Sequence, residues 1–194
     1  MTTCLFHGGF TRKDNELNRA FYKDFASRVK EGGTILYVYF ATRDEIEHEI
    51  PERFKEHTQL VAAQSDGKSF TNVLADLSSF EAQAKAADAI FINGGNPEKL
   101  MKALRSVPDF KTLMQGKVVA GSSSGAYALS AHYYSLTPSP GVYEGFGVAP
   151  VKVICHYESD TEEHVRGQEA VDALASYPGE LVITHDFEHK TVVV

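Results

Sequence analysis

Short runs of β-branched and aromatic residues alternate along this chain with longer segments of helical periodicity. The runs at 3–7, 34–40, 88–93 and 117–121 are almost continuously apolar, which is typical of strands buried on both faces of a parallel sheet. Between them, apolar residues recur at spacings of three and four, as helices require. The alternation predicts a three-layer α/β/α sandwich with a mostly parallel sheet.

Other segments predict less regular features around this framework. Four further segments have the composition of strands: 58–64, 151–156, 180–184 and 190–194. Thr161, followed by acidic residues, is expected to open a late helix. Residues 133–150 are rich in Pro and Gly without clear periodicity, and we expect a long irregular loop there.

Charge and size limit the classes of partner. The chain has 194 residues and a net charge of −7, without a basic run, which argues against nucleic acid or an anionic membrane as the main partner. No apolar run approaches the ~20 residues needed to span a bilayer, and the N-terminus lacks a signal-peptide pattern. We expect a single domain over 1–194, cytoplasmic, as a monomer or homodimer.

The two cysteines predict neither a disulfide framework nor a metal site. Cys4 and Cys155 each lie in an apolar stretch, and they have no metal-ligand spacing. Buried free thiols are therefore expected.

The segment GSSSG at 121–125 matches the pattern G-x-S-x-G with Ser123 at its centre. A β-rich run precedes it and a helical pattern follows, which is the strand–turn–helix context of a nucleophile elbow. In such an elbow the amide of Ser124 lies free at the helix start and can hold an oxyanion. Ser122 then serves as a small filler. A plain Ser/Gly turn that caps a helix is the alternative.

A serine nucleophile needs a base, and two of the eight histidines end β-rich runs. His156 closes a run after the elbow and is the better candidate, with His7 second, because parallel sheets place their sites at the carboxyl ends of strands. His48, His57 and His164 lie in charged, helix-like contexts, where solvated surface positions are expected.

Three blocks of sequence then point to a family. FINGGNPEKLMKAL, VAGSSSGAYAL and GFGVAPVKVICHY resemble the peptidase E and cyanophycinase family of serine peptidases, in order and in spacing. The resemblance implies a flavodoxin-like sandwich, related to that of class I glutamine amidotransferases, and no metal or organic cofactor. It also implies a small peptide substrate that contains an aspartyl residue.

The resemblance carries functional roles onto individual positions. Ser123 matches the nucleophile and His156 the general base, while Gly94 and Gly95, with Ser124, match the oxyanion-hole region. Two further positions are expected to contact substrate: Asn96 at the end of the GGN block, and Arg166, which resembles a family arginine. An arginine suits an acidic side chain because its planar fork binds carboxylates; a solvated helix arginine is the alternative.

The acid that should orient His156 is the main departure from the family. Residues 126–143 contain no Asp or Glu, where peptidase E places an aspartate. Glu188 is our prediction for the third member, with Glu144 behind it, and a Ser–His dyad is the alternative. Other acids follow the histidine, as in cyanophycinases: Glu158, Asp160 and Asp186.

Three functions therefore remain open from the sequence. The first is a serine peptidase that cleaves small aspartyl peptides through an acyl-enzyme on Ser123. The second is an esterase or other small-acyl hydrolase, which needs the same nucleophile without an aspartyl pocket. The third is a binding module derived from such an enzyme, with its acid lost.

Overall fold

The structure, a computed structural model, describes residues 1–161 and 164–194. The first half of the chain forms these elements: β1 (Thr3–His7), α1 (Glu16–Arg28), β2 (Thr34–Val38), a 3₁₀ helix (Asp44–Glu49), α2 (Ile50–Ala63), β3 (Thr71–Leu74), α3 (Phe80–Ala86) and β4 (Ala89–Ile92). The second half continues with these: α4 (Pro97–Arg105), α5 (Phe110–Met114), β5 (Val118–Ser122), α6 (Ser124–Leu129), β6 (His132–Ser135), β7 (Gly141–Glu144), β8 (Val151–Ile154), α7 (Gln168–Leu174), β9 (Glu180–Ile183) and β10 (His189–Val193).

The strands form two sheets. The larger has six strands in the order β10-β1-β5-β4-β2-β3, and all its neighbours are parallel except the edge strand β10. The smaller has four strands in the order β7-β6-β8-β9, with β7 as its antiparallel member. The predicted α/β architecture with mostly parallel strands and flanking helices is thus confirmed, and it is built on two sheets.

Both faces of the larger sheet are covered by helices. In β1, Leu5 packs with α1 and α2 on one face, while Cys4 and Phe6 pack with α3 to α6 on the other. In β4, Phe91 and Ile92 divide between the same two cores. The near-continuous apolar character of these strands follows from this double burial. The helix α7 covers the smaller sheet through Ala170 and Leu174.

Several predictions about local structure hold and others are wrong. The strands at 180–184 and 190–194 correspond to β9 and β10, but 58–64 lies in α2. The expected loop at 133–150 contains the β6–β7 pair, and β3, whose residues are mostly exposed, was not predicted. The late helix begins at Gln168 rather than Thr161; the acids Glu162 and Glu163, to which that prediction referred, lie outside the described residues.

Three further observations concern the whole described chain. Cys4 and Cys155 are both buried and free, as predicted. Within 1–161 and 164–194, no His, Cys, Asp and Glu side chains are grouped in threes that could hold a metal ion. No helix in that part is both long and apolar enough to cross a bilayer.

Candidate active site

The elbow is a strained turn between β5 and α6. Ser123 adopts φ 51° and ψ −114° between the last residue of the strand and the first residue of the helix, a conformation that L-residues rarely adopt outside constrained sites. Its amide donates to the carbonyl of His7 at 2.9 Å, and its carbonyl accepts from Tyr127 at 3.1 Å. These bonds anchor the backbone on both sides of the turn, in which Ser123 alone is partly accessible.

The glycines on either side of the serines are required by close backbone packing. A Cβ on Gly121 would lie 2.4 Å from the backbone of Gly125, and a Cβ on Gly125 would lie 2.1 Å from the carbonyl oxygen of Ile92. Both distances are far below van der Waals contact, so neither position tolerates a side chain. The strand–turn–helix interpretation of GSSSG is what the structure shows, in place of a simple capping turn.

The structure brings the predicted base to the predicted nucleophile. His156 follows β8, and its Nε2 lies 3.0 Å from Ser123 Oγ. Its ring is closely surrounded: a Cβ on Gly9 would lie 2.1 Å from His156 Cε1, and the ring of Phe10 packs edge-on at 5.2 Å. The imidazole therefore has little room to turn away from the serine.

Asp186 occupies the position of the orienting acid. Its Oδ1 lies 2.6 Å from His156 Nδ1, and its Oδ2 accepts from Ser159 Oγ at 2.6 Å. Burial raises the pKa of Asp186, but the hydrogen bonds from His156 and Ser159 outweigh it, so the pKa lies below its ordinary value. The carboxylate favours the tautomer with hydrogen on Nδ1, which leaves Nε2 free to accept the serine proton.

The two acids predicted for this position lie elsewhere, which corrects the expectation. The carboxylate of Glu188 accepts the backbone N–H of His185 at 3.2 Å, and Glu144 is exposed at the end of β7 opposite His132. Phe187, between the two acids, has φ 68° in a turn, and the carboxylates of Asp186 and Glu188 have different partners, the His156 ring and the His185 amide.

Once β8 and β9 are known to be neighbours, the sequence points to Asp186. Strands β8 and β9 are parallel neighbours, with Ile154 opposite Ile183. His156 lies two residues beyond the first of these and Asp186 three residues beyond the second. Carboxyl ends of parallel neighbours meet at one edge of a sheet, so the first acid after β9 was the better candidate.

Two other histidines also differ from expectation. His7, the second candidate base, is fully buried, with Nε2 2.9 Å from Asn18 Oδ1 and Nδ1 accepting the amide of Gly9 at 3.0 Å. His57 was expected on the surface but is also buried, with hydrogen bonds to Thr11 and Tyr39. Burial lowers the pKa of each to about 3, so both are neutral.

His164 was likewise expected to be solvated, but it lies at the site. Its ring stacks on that of His156, with the ring centroids 4.9 Å apart. Of the three histidines assigned to the surface, only His48 is exposed. Helical charge patterning could not reveal this because the segment that carries His164 is not helical.

Backbone amides of the predicted oxyanion region surround the elbow. A Cβ on Gly94 would lie 3.0 Å from Ser123 Cβ, and one on Gly95, which has φ 148°, would lie 2.2 Å from the carbonyl oxygen of Ala41. In the described part of the chain, neither glycine amide donates a hydrogen bond. Ser124 is buried at the first position of α6, and its Oγ has no partner there.

Arg166 is buried beside the site and has no charged partner among the residues that the structure describes. Its side chain is 5% exposed, and among the described residues Nε and Nη1 have no hydrogen-bond partner. The backbone places it there, because the Arg166 amide donates to the carbonyl of His156 at 3.2 Å. Asn96, the other predicted substrate contact, caps α4 by accepting the amide of Lys99 at 3.1 Å.

Two cavities adjoin Ser123. The large cavity, of about 590 Å³, is lined by His156, Phe10, Lys13, Arg43 and Gly94 among others. The small cavity, of about 250 Å³, is lined by Arg166, Asn96 and Tyr127 among others. Ser123, Gly95, Arg43 and His164 line both. Ser123 therefore lies where the two cavities meet, so that each cavity can hold one side of a scissile bond.

Solved structures resemble this fold over nearly the whole chain. A peptidase from an acI-B1 Actinobacterium matches with a TM-score of 0.66 and 22% identity, covering 99% of this chain and 83% of that one. A candidate peptidase E protein from Listeria monocytogenes EGD-e matches with a TM-score of 0.68 and 14% identity, covering 99% and 94%. None of the curated proteins matches in sequence.

The sequence comparison agrees with the resemblance noted above. The profile of Peptidase family S51 matches residues 5–193, which include both cavities and the strands that carry Ser123 and His156. A serine-type peptidase is consistent with an elbow serine beside a histidine and an aspartate. The chain belongs to peptidase family S51 and is a serine-type peptidase.

Proposed function

We propose that this peptidase hydrolyses small peptides, above all dipeptides, whose acyl side is an aspartyl residue. The observation that carries the proposal is the buried guanidinium of Arg166, whose Nε and Nη1 have no hydrogen-bond partner in the described part of the chain, in a small cavity that Ser123 also lines. One of the structural neighbours is described as a candidate peptidase E protein. Aspartyl dipeptides are the substrate class of peptidase E.

Among the described residues, none that lines the small cavity carries a negative charge. Arg166 forms no ion pair within the described chain. A buried charge without a partner is unfavourable by several kcal/mol in typical proteins (~3–5). A substrate carboxylate would satisfy it, and the guanidinium fork can bind one through two hydrogen bonds.

The chemistry follows from the contacts at Ser123. Its hydroxyl, 3.0 Å from His156 Nε2, attacks the peptide carbonyl as His156 takes the proton. His156 then gives that proton to the leaving amine. Water next attacks the acyl-enzyme, with His156 taking a proton from the water and giving it to Ser123 Oγ as the acid product leaves. Asp186 keeps the imidazole in position and stabilises its charged form. Amides of Gly94, Gly95 or Ser124 hold the oxyanion.

This geometry bears on the two alternatives. The non-catalytic module assumed that the orienting acid had been lost, and Asp186 lies 2.6 Å from His156. An esterase would need the same serine and histidine but no cation in the acyl cavity. Arg166 therefore favours the aspartyl peptidase.

The test compares substrates and variants. Asp-Ala, Asn-Ala, Ala-Ala and p-nitrophenyl acetate are assayed with the parent protein and with S123A, R166M and R105M. We expect S123A to lose all turnover and R166M to raise KM for Asp-Ala about 10- to 100-fold, the usual effect of a lost charged hydrogen bond. R105M, which removes an exposed arginine of α4, is the matched control and should behave as the parent.

Two results would count against the proposal. If R166M raised KM equally for Asp-Ala and Asn-Ala, Arg166 would not be the source of aspartyl specificity. Rapid hydrolysis of the ester, without any hydrolysis of the peptides, would favour the esterase.

A further inference from the structure

The described lining of the active site is rich in cations although the chain as a whole is acidic. The chain has a net charge of −7, yet five cations line the two cavities: Arg12, Lys13, Arg43, Arg53 and Arg166. Two are neutralised, Arg12 by Glu56 at 2.9 Å and Arg53 by Glu49 at 2.7 Å. Within residues 1–161 and 164–194, the other three have no ion pair, and three such cations around one serine indicate a ligand with more than one negative charge.

The side of the serine on which the leaving group binds follows from the position of His156. In acyl transfer the histidine gives its proton to the leaving amine, so the leaving group must lie beside the imidazole. His156 lines the large cavity and is absent from the lining of the small one. The acyl residue then occupies the small cavity with Arg166, and the leaving group occupies the large cavity.

Lys13 is held on this leaving-group side by aromatic rings. Its Nζ lies 5.3 Å from the ring centroid of Phe10 and 5.5 Å from that of Phe187. Phe10 in turn packs against the ring of His156. The neighbouring acid does not neutralise Lys13, because Asp14 pairs with Arg19.

Arg43 stands at the junction of the two cavities. It directly precedes the 3₁₀ helix and is exposed. The acids that follow it, Asp44 and Glu47, both bind Lys99. Within the described chain the Arg43 guanidinium has no ion pair or hydrogen bond of its own.

We propose that Lys13 and Arg43 bind the free α-carboxylate of the leaving group. The substrates are then short peptides with two carboxylates, one on the acyl residue in the small cavity and one at the C-terminus in the large cavity. The acyl half of this statement rests on the proposed function, while the roles of Lys13 and Arg43 are new. A blocked C-terminus, or one several residues away, would leave both cations unpaired.

Binding to a non-hydrolysing variant tests this without relying on turnover. In the S123A background, Asp-Ala, Asp-Ala-amide, Ala-Ala and Asp-Glu-amide are titrated by calorimetry. We expect K13M/R43M to raise the Kd of Asp-Ala about 10- to 100-fold, as for loss of a charge-assisted hydrogen bond, and to leave Asp-Ala-amide unchanged. K55M, which removes an exposed lysine of α2 outside both cavities, is the control and should change neither. Thermal melts verify that each variant is folded.

The outcomes separate this inference from the proposed function. Equal Kd values for Asp-Ala and its amide in the parent background, or no binding of either at millimolar concentration, would overturn the role of Lys13 and Arg43. If Asp-Glu-amide bound as tightly as Asp-Ala, the proposal would also be overturned, because a side-chain carboxylate could then replace the terminal carboxylate. If Ala-Ala binds as well as Asp-Ala but still loses affinity in K13M/R43M, the aspartyl specificity fails and the terminal-carboxylate site stands.

Discussion

The two halves of the active site are held in place by different physical means. The elbow at 121–125 is fixed by steric contact, because the backbone of Ile92 lies where a Cβ of Gly125 would be. The base and its acid are fixed by hydrogen bonds between separate loops: Asp186 lies 2.6 Å from both His156 Nδ1 and Ser159 Oγ. A steric constraint leaves a local signature in the sequence, whereas hydrogen bonds between distant loops do not.

The largest expected effect is on the steric half. G125A places a methyl group 2.1 Å from the carbonyl oxygen of Ile92, and such overpacking costs about 3 kcal/mol. For a chain of this length that lowers Tm by roughly 6–12 °C, and the displaced serine should lose its activity. Differential scanning calorimetry and a peptidase assay measure the two effects.

A matched glycine in the smaller sheet tests whether the effect is steric. In G141A the new Cβ would meet only Tyr143, at 3.8 Å, which is ordinary contact. G141A should melt within a few degrees of the parent protein. Similar losses in both variants would show that the elbow is no more constrained than a strand.

The second prediction breaks the hydrogen-bonded half. D186N retains the shape of the side chain but removes the charge that orients His156, and in comparable triads this lowers kcat about 10⁴-fold. E188Q changes a carboxylate whose hydrogen bond, within the described chain, comes from the backbone N–H of His185, so its kcat should stay near that of the parent. Steady-state kinetics on an aspartyl dipeptide would distinguish them, and a larger loss in E188Q would return the role to Glu188.

The third and smallest effect is a pH dependence of stability, which contrasts a buried histidine outside the active site with Asp186. His57 packs beside the larger sheet with a pKa of about 3, against about 6.5 when unfolded. Between these values the unfolded chain binds a proton that the folded chain does not. The free energy of unfolding therefore falls with decreasing pH by about 1.4 kcal/mol per unit for such a group.

H57Q should reduce that slope by about 1.4 kcal/mol per pH unit between pH 6.5 and 4.5. Asp186 acts in the same direction but at lower pH: its pKa is lowered from an already acidic value, so its contribution is lost only below about pH 4. D186N should therefore leave the slope unchanged in this window. Urea unfolding at several pH values measures both slopes, and an unchanged slope in H57Q would show that His57 is not neutral in the folded state.

Local rules predicted much of the fold and the elbow. The double burial of β1 and β4 was readable as continuous apolar runs, and Ser123 was identified by its glycines. The errors arose where tertiary context overrides local preference. Residues 58–64 are β-rich in composition but lie in α2, and β3 has mostly exposed residues.

By itself the sequence determined the apolar strands β1, β2, β4 and β5, the strained serine and the histidine at the end of a later strand, because each depends on residues within a few positions of one another. The tertiary structure alone decided that Asp186 and not Glu188 contacts His156, and that Arg166 is buried beside Ser123. Those outcomes depend on which loops lie next to each other in the folded chain and on which cations find a charged partner. Neither can be inferred from the positions of the residues in the sequence.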